Sequence, residues 1–283
     1  MTDRVVWCRV AGLWGAAVAV GLSGGCSTGP TVAAPATLTS VDRGVEAAVS
    51  AVDVYPDRDA DKRYAEVEGA SGGFRRLVRR TPDGFEVRSV GEGGVERVLT
   101  LRRDADGSVV LLSSREGART TAFEGGLVYM PASLALGETF EATAAVRVTE
   151  TNDRGQTRER SSGTATRRVA YVGEAAIEAG IAALLDGRGS DRAVGTGEGA
   201  APLAASVGQP TARVVEGLLE LDLDPAKVRT TTVLWVTGRG IVREQQATSV
   251  RVFGVPVESR GHDVVLVGDA EGGRERRPRS DRL

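Results

Sequence analysis

Short runs of β-branched and aromatic residues, each closed by a strong turn signal, recur along most of this chain and restrict it to antiparallel sheet. Phe74 to Arg80 meets Phe85 to Val90 across Thr81-Pro82-Asp83-Gly84, where proline presets φ and glycine accepts a positive one. Gly91-Glu92-Gly93-Gly94 leads into Val95 to Arg103, and Asp104-Ala105-Asp106-Gly107 turns the chain into Val109 to Ser114. Four strands therefore follow one another as a meander. Val95, Arg97, Leu99 and Leu101 alternate imperfectly with Glu96, Val98 and Thr100, so the strands are better defined than the faces they present.

A second β block follows Gly137. Phe140 to Glu150 pairs with Gln156 to Val172 across Asn152-Asp153-Arg154-Gly155, a hairpin long enough to curve or project. A third block runs Thr211 to Leu223, Val228 to Val236, Gly240 to Phe253 and Val255 to Val267. Asp222-Leu223-Asp224-Pro225 and Thr237-Gly238-Arg239-Gly240 supply turns between them. Successive hairpins with few helices predict a mainly β fold, a curved antiparallel sheet or open half-barrel.

One or two short helices accompany the sheet. Thr39 and Asp42 are spaced as a capping box, and Val41, Val45, Val49 and Val52 recur at helical spacing. Ile177, Ile181, Leu184 and Leu185 give a second apolar face that Gly187 ends. Ser190 to Pro210 is rich in Gly, Ala and Ser, so residues 175–210 read as a helix and flexible insertion within a 41–268 domain. Residues 269–283 form a charged tail without apolar anchors.

The N-terminus carries an address. Arg4 and Arg9 precede an apolar run, Val10 to Leu22, that is too short to span a bilayer as a helix. Leu22-Ser23-Gly24-Gly25-Cys26-Ser27 follows and resembles the lipobox of bacterial lipoproteins, with Leu22 displaced by one position and Ser23 in its usual place. That resemblance implies a signal peptide over 1–25, lipidation of Cys26 and a flexible tether over 26–40. Simple secretion, with a cut at Ala34-Pro35-Ala36, is the competing reading. The only other cysteine, Cys8, lies within the signal, so the mature chain would hold one thiol at its first position and no disulfide. Ser27 rather than Asp after the cysteine leans towards the outer membrane. The expected location is the cell envelope, facing the periplasm or exterior.

Composition excludes some functions. A formal net charge of -2 gives no basic excess for nucleic acid, and 4% aromatics leaves few stacking platforms for single strands. Positive charge is almost all arginine, with Lys62 and Lys227 the only lysines.

Two segments carry a further resemblance: Met130-Pro131-Ala132-Ser133-Leu134-Ala135-Leu136-Gly137-Glu138-Thr139-Phe140, and Leu234-Trp235-Val236-Thr237-Gly238-Arg239-Gly240-Ile241-Val242-Arg243-Glu244. Together they resemble a group of periplasmic β-rich proteins with an open half-barrel sheet, similar in architecture to bacterial lipoprotein carriers. Val236-Thr237 stands where that group has Ala-Pro. The resemblance implies a fold and a compartment, and no activity.

Candidate sites are few. Asp57, Asp59, Asp61 and Glu68 occupy ligand positions of an Asp-x-Asp-x-Asp calcium loop, although Lys62 holds the position that needs glycine. His262, the only histidine, precedes Asp263 and has no nucleophile marked by a motif. Gly195-Thr196-Gly197-Glu198-Gly199 imitates part of a phosphate-binding fingerprint but follows no strand. Trp235 either lines a concave face or fills the core. No pattern calls for a cofactor. The expected function is non-catalytic: envelope structure, or binding of an apolar or peptide ligand along Val95 to Leu112 and Leu218 to Phe253, with membrane contact through the N-terminal lipid. The alternatives are an envelope hydrolase using carboxylates and a partner-binding assembly module built on the Phe140 to Val172 hairpin.

Overall fold

The computed structural model describes residues 48–56, 58–67, 73–91, 94, 96–177 and 211–269. The expected signal and tether, Cys26, Thr39, Asp42, Val41, Val45, residues 178–210 and the expected tail lie outside them. Among the described residues, twelve antiparallel strands close into a barrel in the order β10-β11-β12-β13-β14-β2-β3-β4-β5-β6-β7-β9. The strands are β2 (Ala60–Glu66), β3 (Gly73–Thr81), β4 (Gly84–Gly91), β5 (Glu96–Arg103), β6 (Val109–Glu116), β7 (Arg119–Met130), β9 (Thr139–Thr151), β10 (Thr157–Ala176), β11 (Thr211–Leu223), β12 (Ala226–Thr237), β13 (Gly240–Val252) and β14 (Val255–Asp269).

The expected open half-barrel is therefore corrected to a closed one. Two junctions make the difference. β14 meets β2 through Val264↔Glu66 to Asp269↔Lys62, and β7 meets β9 through Arg119↔Glu150 to Phe123↔Val146. Neither junction is a hairpin, so no local turn announces it. β7 also escapes the turn-and-alternation pattern because Gly125 and Gly126, at φ of 71° and 90°, break its periodicity. A Cβ at Gly126 would lie 2.3 Å from Val110 Cγ1, so the close approach of β6 and β7 needs glycine there.

Cross-strand pairing fixes which side chains point inward. Val169, Leu219, Leu221, Val228, Leu234 and Val250 fall on one face and form the main core with Phe85, Leu101 and Leu111 from the other half of the wall. The long β9–β10 hairpin is part of this wall rather than a projection. β10 is paired on both sides from Gly163 to Ala170, leaving Thr157 to Ser162 beyond the last β11 register pair. That stretch carries Arg158, Glu159 and Arg160, charges that discourage edge pairing.

One mouth of the barrel is covered by the first described residues. β1 (Ala48–Ser50) pairs with β8 (Ser133–Ala135), Val49 opposite Leu134, and α1 (Ala51–Val54) follows. Ser50 caps α1: its hydroxyl accepts from the Asp53 amide at 3.3 Å, and Asp53 accepts from the Ser50 amide at 3.0 Å. The apolar face expected over Val41 to Val52 is thus split, with Val49 fully buried in a strand and Val52 48% exposed on the helix. Tertiary packing overrides the local period here, since Val49, Ala51 and Val54 all join the barrel core. Arg213 anchors the cover, donating to the Ala48 carbonyl at 2.8 Å and pairing with Asp53 at 3.0 Å. Ile177, from the expected second helix, is buried just beyond β10.

Leu134 is fully buried under this cover and tests how much the cover contributes. Leu134→Ala is expected to lower unfolding stability by about 2–5 kcal/mol. Urea denaturation followed by circular dichroism reads this loss.

Candidate functional site

Inside the barrel, near the β14–β2 junction, the core gives way to a charged cluster. Glu244 sits opposite the core residue Leu234 and so points inward from β13. Arg76 reaches it from β3, its Nη2 donating to Glu244 Oε2 at 2.8 Å. The guanidinium lies 5.0 Å from the ring centres of both Tyr64 and Phe74, which stack on each other at 5.0 Å. The Tyr64 hydroxyl donates to the Ile241 carbonyl at 3.0 Å. His262 Nε2 stands 3.5 Å from Glu244 Oε1, with its ring edge-on to Phe74.

Burial works against the charge on both Glu244 and Arg76, and their mutual attraction prevails. Desolvation alone would raise the Glu244 carboxyl, but the Arg76 charge and hydrogen bond, with the His262 ring beside it, hold it well below the usual range. The same pairing carries Arg76 above its usual value despite burial. A carboxylate held that far from neutrality is a poor proton carrier at pH 7. The adjoining cavity, lined by Tyr55, Tyr64 and Arg76, is about 20 Å³, room for a water and no substrate. This cluster is built to hold strands together.

Nearer the opposite mouth, Glu116 points inward opposite Arg97. Desolvation raises its carboxyl pKa, and the nearby Arg97 and Arg260 charges only partly offset that.

Of the four expected calcium ligands, Asp59 and Asp61 are described, and each is engaged by β3. Asp61 lies within β2 and accepts from Arg75 Nε at 2.7 Å, while Asp59 accepts from the Arg80 amide at 3.0 Å and pairs with Arg79 at 3.6 Å. Asp57, Glu68 and Gly195 to Gly199 lie outside the described residues. Among the described residues, no three His, Cys, Asp or Glu side chains are placed to hold a metal ion, and no helix is long and apolar enough to cross a membrane. Trp235 points away from Leu234 and Val236, joining Val214, Val233 and Ile177 in a second apolar cluster, with Arg243 4.9 Å above its ring.

A trough of about 710 Å³ lies on the outward face of β10 to β14. Two cross-strand rows contribute to it: Ala170, Glu216 and Val233, then Arg168, Leu218, Thr231 and Ala247. Small side chains at Ala170, Ala247, Ser249 and Ser259 leave the hollow, and Leu218 and Val233 give it apolar patches. Arg168 and Arg229 at its borders are held by Glu141 and Glu220, at 2.6 and 3.7 Å. Glu216 has no ion-pair or hydrogen-bond partner among the described residues. Sequence reasoning directed the ligand to the inward faces of these strands, which the core fills. The outward run of small residues is visible only once the register aligns strands that are distant in sequence. Comparisons with protein-family models, curated proteins and solved structures find no match.

Two stability measurements probe the inner charges. Arg76→Met or Glu244→Leu alone is expected to cost about 3–5 kcal/mol, and the double variant less than either, because each single change strands a buried charge. Glu244 has a depressed pKa when folded, so its contribution is present above the unfolded value of about 4.3 and fades as pH falls below it. Acid titration of the double variant should lack that component. Glu116 has the opposite sign: its raised folded pKa penalises the fold as pH rises above about 4.3. Glu116→Gln is therefore expected to raise the urea midpoint at pH 7, with the gap closing below about pH 4.

Proposed function

We propose that this chain is a lipid-anchored envelope protein, without catalytic activity of its own, that holds an extended peptide in the outward trough of its barrel. The unpartnered Glu216 in that trough carries the reading. A carboxylate between Leu218 and Val233 suits a segment that presents a basic side chain next to an apolar one. The hydroxyls of Thr231, Ser249 and Ser259 offer further hydrogen bonds along its length. The strands beneath are already paired on both sides, so recognition would run through side chains rather than strand addition.

The anchor reading rests on Cys26 in its lipobox-like setting and on the absence of any later cysteine. The outer wall supports a barrel that stands beside a membrane rather than in one. Arg147, Arg168 and Arg229 point outward with side chains 53%, 53% and 61% exposed, where a spanning wall needs an apolar band. The compartment would be the periplasm or exterior, with Ser27 leaning towards the outer membrane.

Both halves of the proposal have a direct test. Mass measurement of the mature N-terminus after fatty-acid labelling should show acylated Cys26; an unmodified thiol, or a chain starting after Ala36, removes the anchor. For the trough, a random peptide display library selected against the protein should enrich sequences pairing Lys or Arg with an apolar neighbour. Ala247→Phe fills the trough from its floor and should abolish capture, and Glu216→Gln should weaken it about tenfold or more. Equal enrichment on the Ala247→Phe protein would sink the reading.

A further inference from the structure

The turn between β13 and β14 is the most apolar exposed feature of the described residues. Phe253, Val255 and Val257 are 78%, 61% and 48% exposed, within the run Phe253-Gly254-Val255-Pro256-Val257. Phe253 also adopts φ of 50°, a left-handed conformation that glycine or asparagine would take at less cost. An aromatic residue held there against its backbone preference, with its side chain in solvent, serves no packing need of the fold.

The hairpin reaches beyond its neighbour on one side. β14 pairs with β2 only from Val264 onward, and Val67 donates to the Asp263 carbonyl, so Val255 to His262 has no described strand on that flank. Pro256, Glu258 and Arg260 along this flank oppose the addition of another strand. What projects is a narrow apolar knuckle. Arg251 lies beside it, exposed and without an ion-pair partner among the described residues.

We infer that Phe253, Val255 and Val257 dip into the interfacial layer of a lipid bilayer, with Arg251 against anionic headgroups. Three side chains offer roughly 300–400 Å² of apolar surface, well short of the ~800 Å² each partner buries in a stable protein interface. A bilayer accepts such a tip, because interfacial burial needs only about 5–10 Å of depth and no matching shape. A cation at the rim adds attraction to an anionic surface. Reach is not limiting even with the lipid anchor at the far end of the barrel. The chain from Cys26 to Ala48 can extend to about 75 Å, against about 43 Å for a strand the length of β11. The inference draws on the anchored reading only for the source of the bilayer.

Full-length protein carrying Cys8→Ser and Cys26→Ser, with an environment-sensitive dye on Val255→Cys, reads the tip without any contribution from lipidation. The probe is a vesicle of phosphatidylethanolamine and phosphatidylglycerol, with a phosphatidylcholine vesicle for comparison. The expected result is a blue-shifted, severalfold brighter signal, quenched by lipid-embedded quenchers, while the same dye on Asp83→Cys at the covered end stays unchanged. Arg251→Gln should raise the anionic vesicle concentration needed for half response by roughly fivefold. Vesicle association without a change at position 255 overturns the inference. So does a shift that appears without vesicles and grows with protein concentration, which would assign the tip to a second copy of the chain. Because Cys26 is absent from this protein, the outcome is independent of whether the native chain is lipidated.

Discussion

Closing the ring is the constraint on which the rest of this structure depends. The β14–β2 junction joins parts of the chain far apart in sequence, so ordering a long loop must precede any reward from its contacts. Arg76 and Glu244, 168 positions apart, meet inside the barrel beside that junction. A buried ion pair adds little net stability over an apolar pair of similar size, but it discriminates strongly between registers. A slip of one residue in β13 would turn Glu244 outward and leave Arg76 buried without its partner. The aromatic pair beneath the guanidinium and the Tyr64 bond to Ile241 add to that discrimination, since both require the same alignment of β2, β3 and β13.

The β7–β9 junction is incomplete, and the sequence compensates with an interior arginine. β7 pairs with β9 only from Arg119 to Phe123, and beyond Gly125 and Gly126 it bends away. Arg167, 3% exposed, fills the separation from inside: its Nε donates to the Tyr129 carbonyl at 3.3 Å, and its guanidinium lies 4.4 Å from the Tyr129 ring centre. Room for it comes from Gly217 on β11, where a Cβ would stand 2.6 Å from Arg167 Nη2. Replacing that glycine would therefore disturb the wall at β7, two strands beyond its own neighbour β10.

The strands were legible in the sequence because each hairpin carries its own signal. Thr81-Pro82-Asp83-Gly84 and Thr237-Gly238-Arg239-Gly240 join neighbouring strands as their composition predicts. Closure was not legible, because Val264↔Glu66 and Phe123↔Val146 have no shared local pattern, and Gly125-Gly126 hid β7. The two familiar segments take specific places: one supplies Leu134 beneath the mouth cover, the other supplies Glu244 to the inner ion pair. Their turn chemistry was readable, whereas the role of Glu244 depended on knowing that Arg76 lies across from it. Asp59 and Asp61 illustrate the reverse case, a recognisable spacing whose carboxylates are taken up by arginines and a backbone amide of β3.

A filled interior shifts recognition to the wall and rim. With Val49, Ala51, Val54 and Leu134 covering one mouth and apolar side chains of both halves of the wall packed into one core, much of the inner face of β11 to β13 is occupied. The outer face of those strands has room because its central rows carry Ala, Ser and Thr, residues with little to lose by solvent exposure. Ser249 and Ser259 pair with each other at the edge of the trough and on the same hairpin that ends in Phe253. The trough and the apolar knuckle are thus mechanically one unit. A bilayer holding the knuckle would fix which end of the trough lies nearest the membrane, and with it the direction in which an extended segment enters.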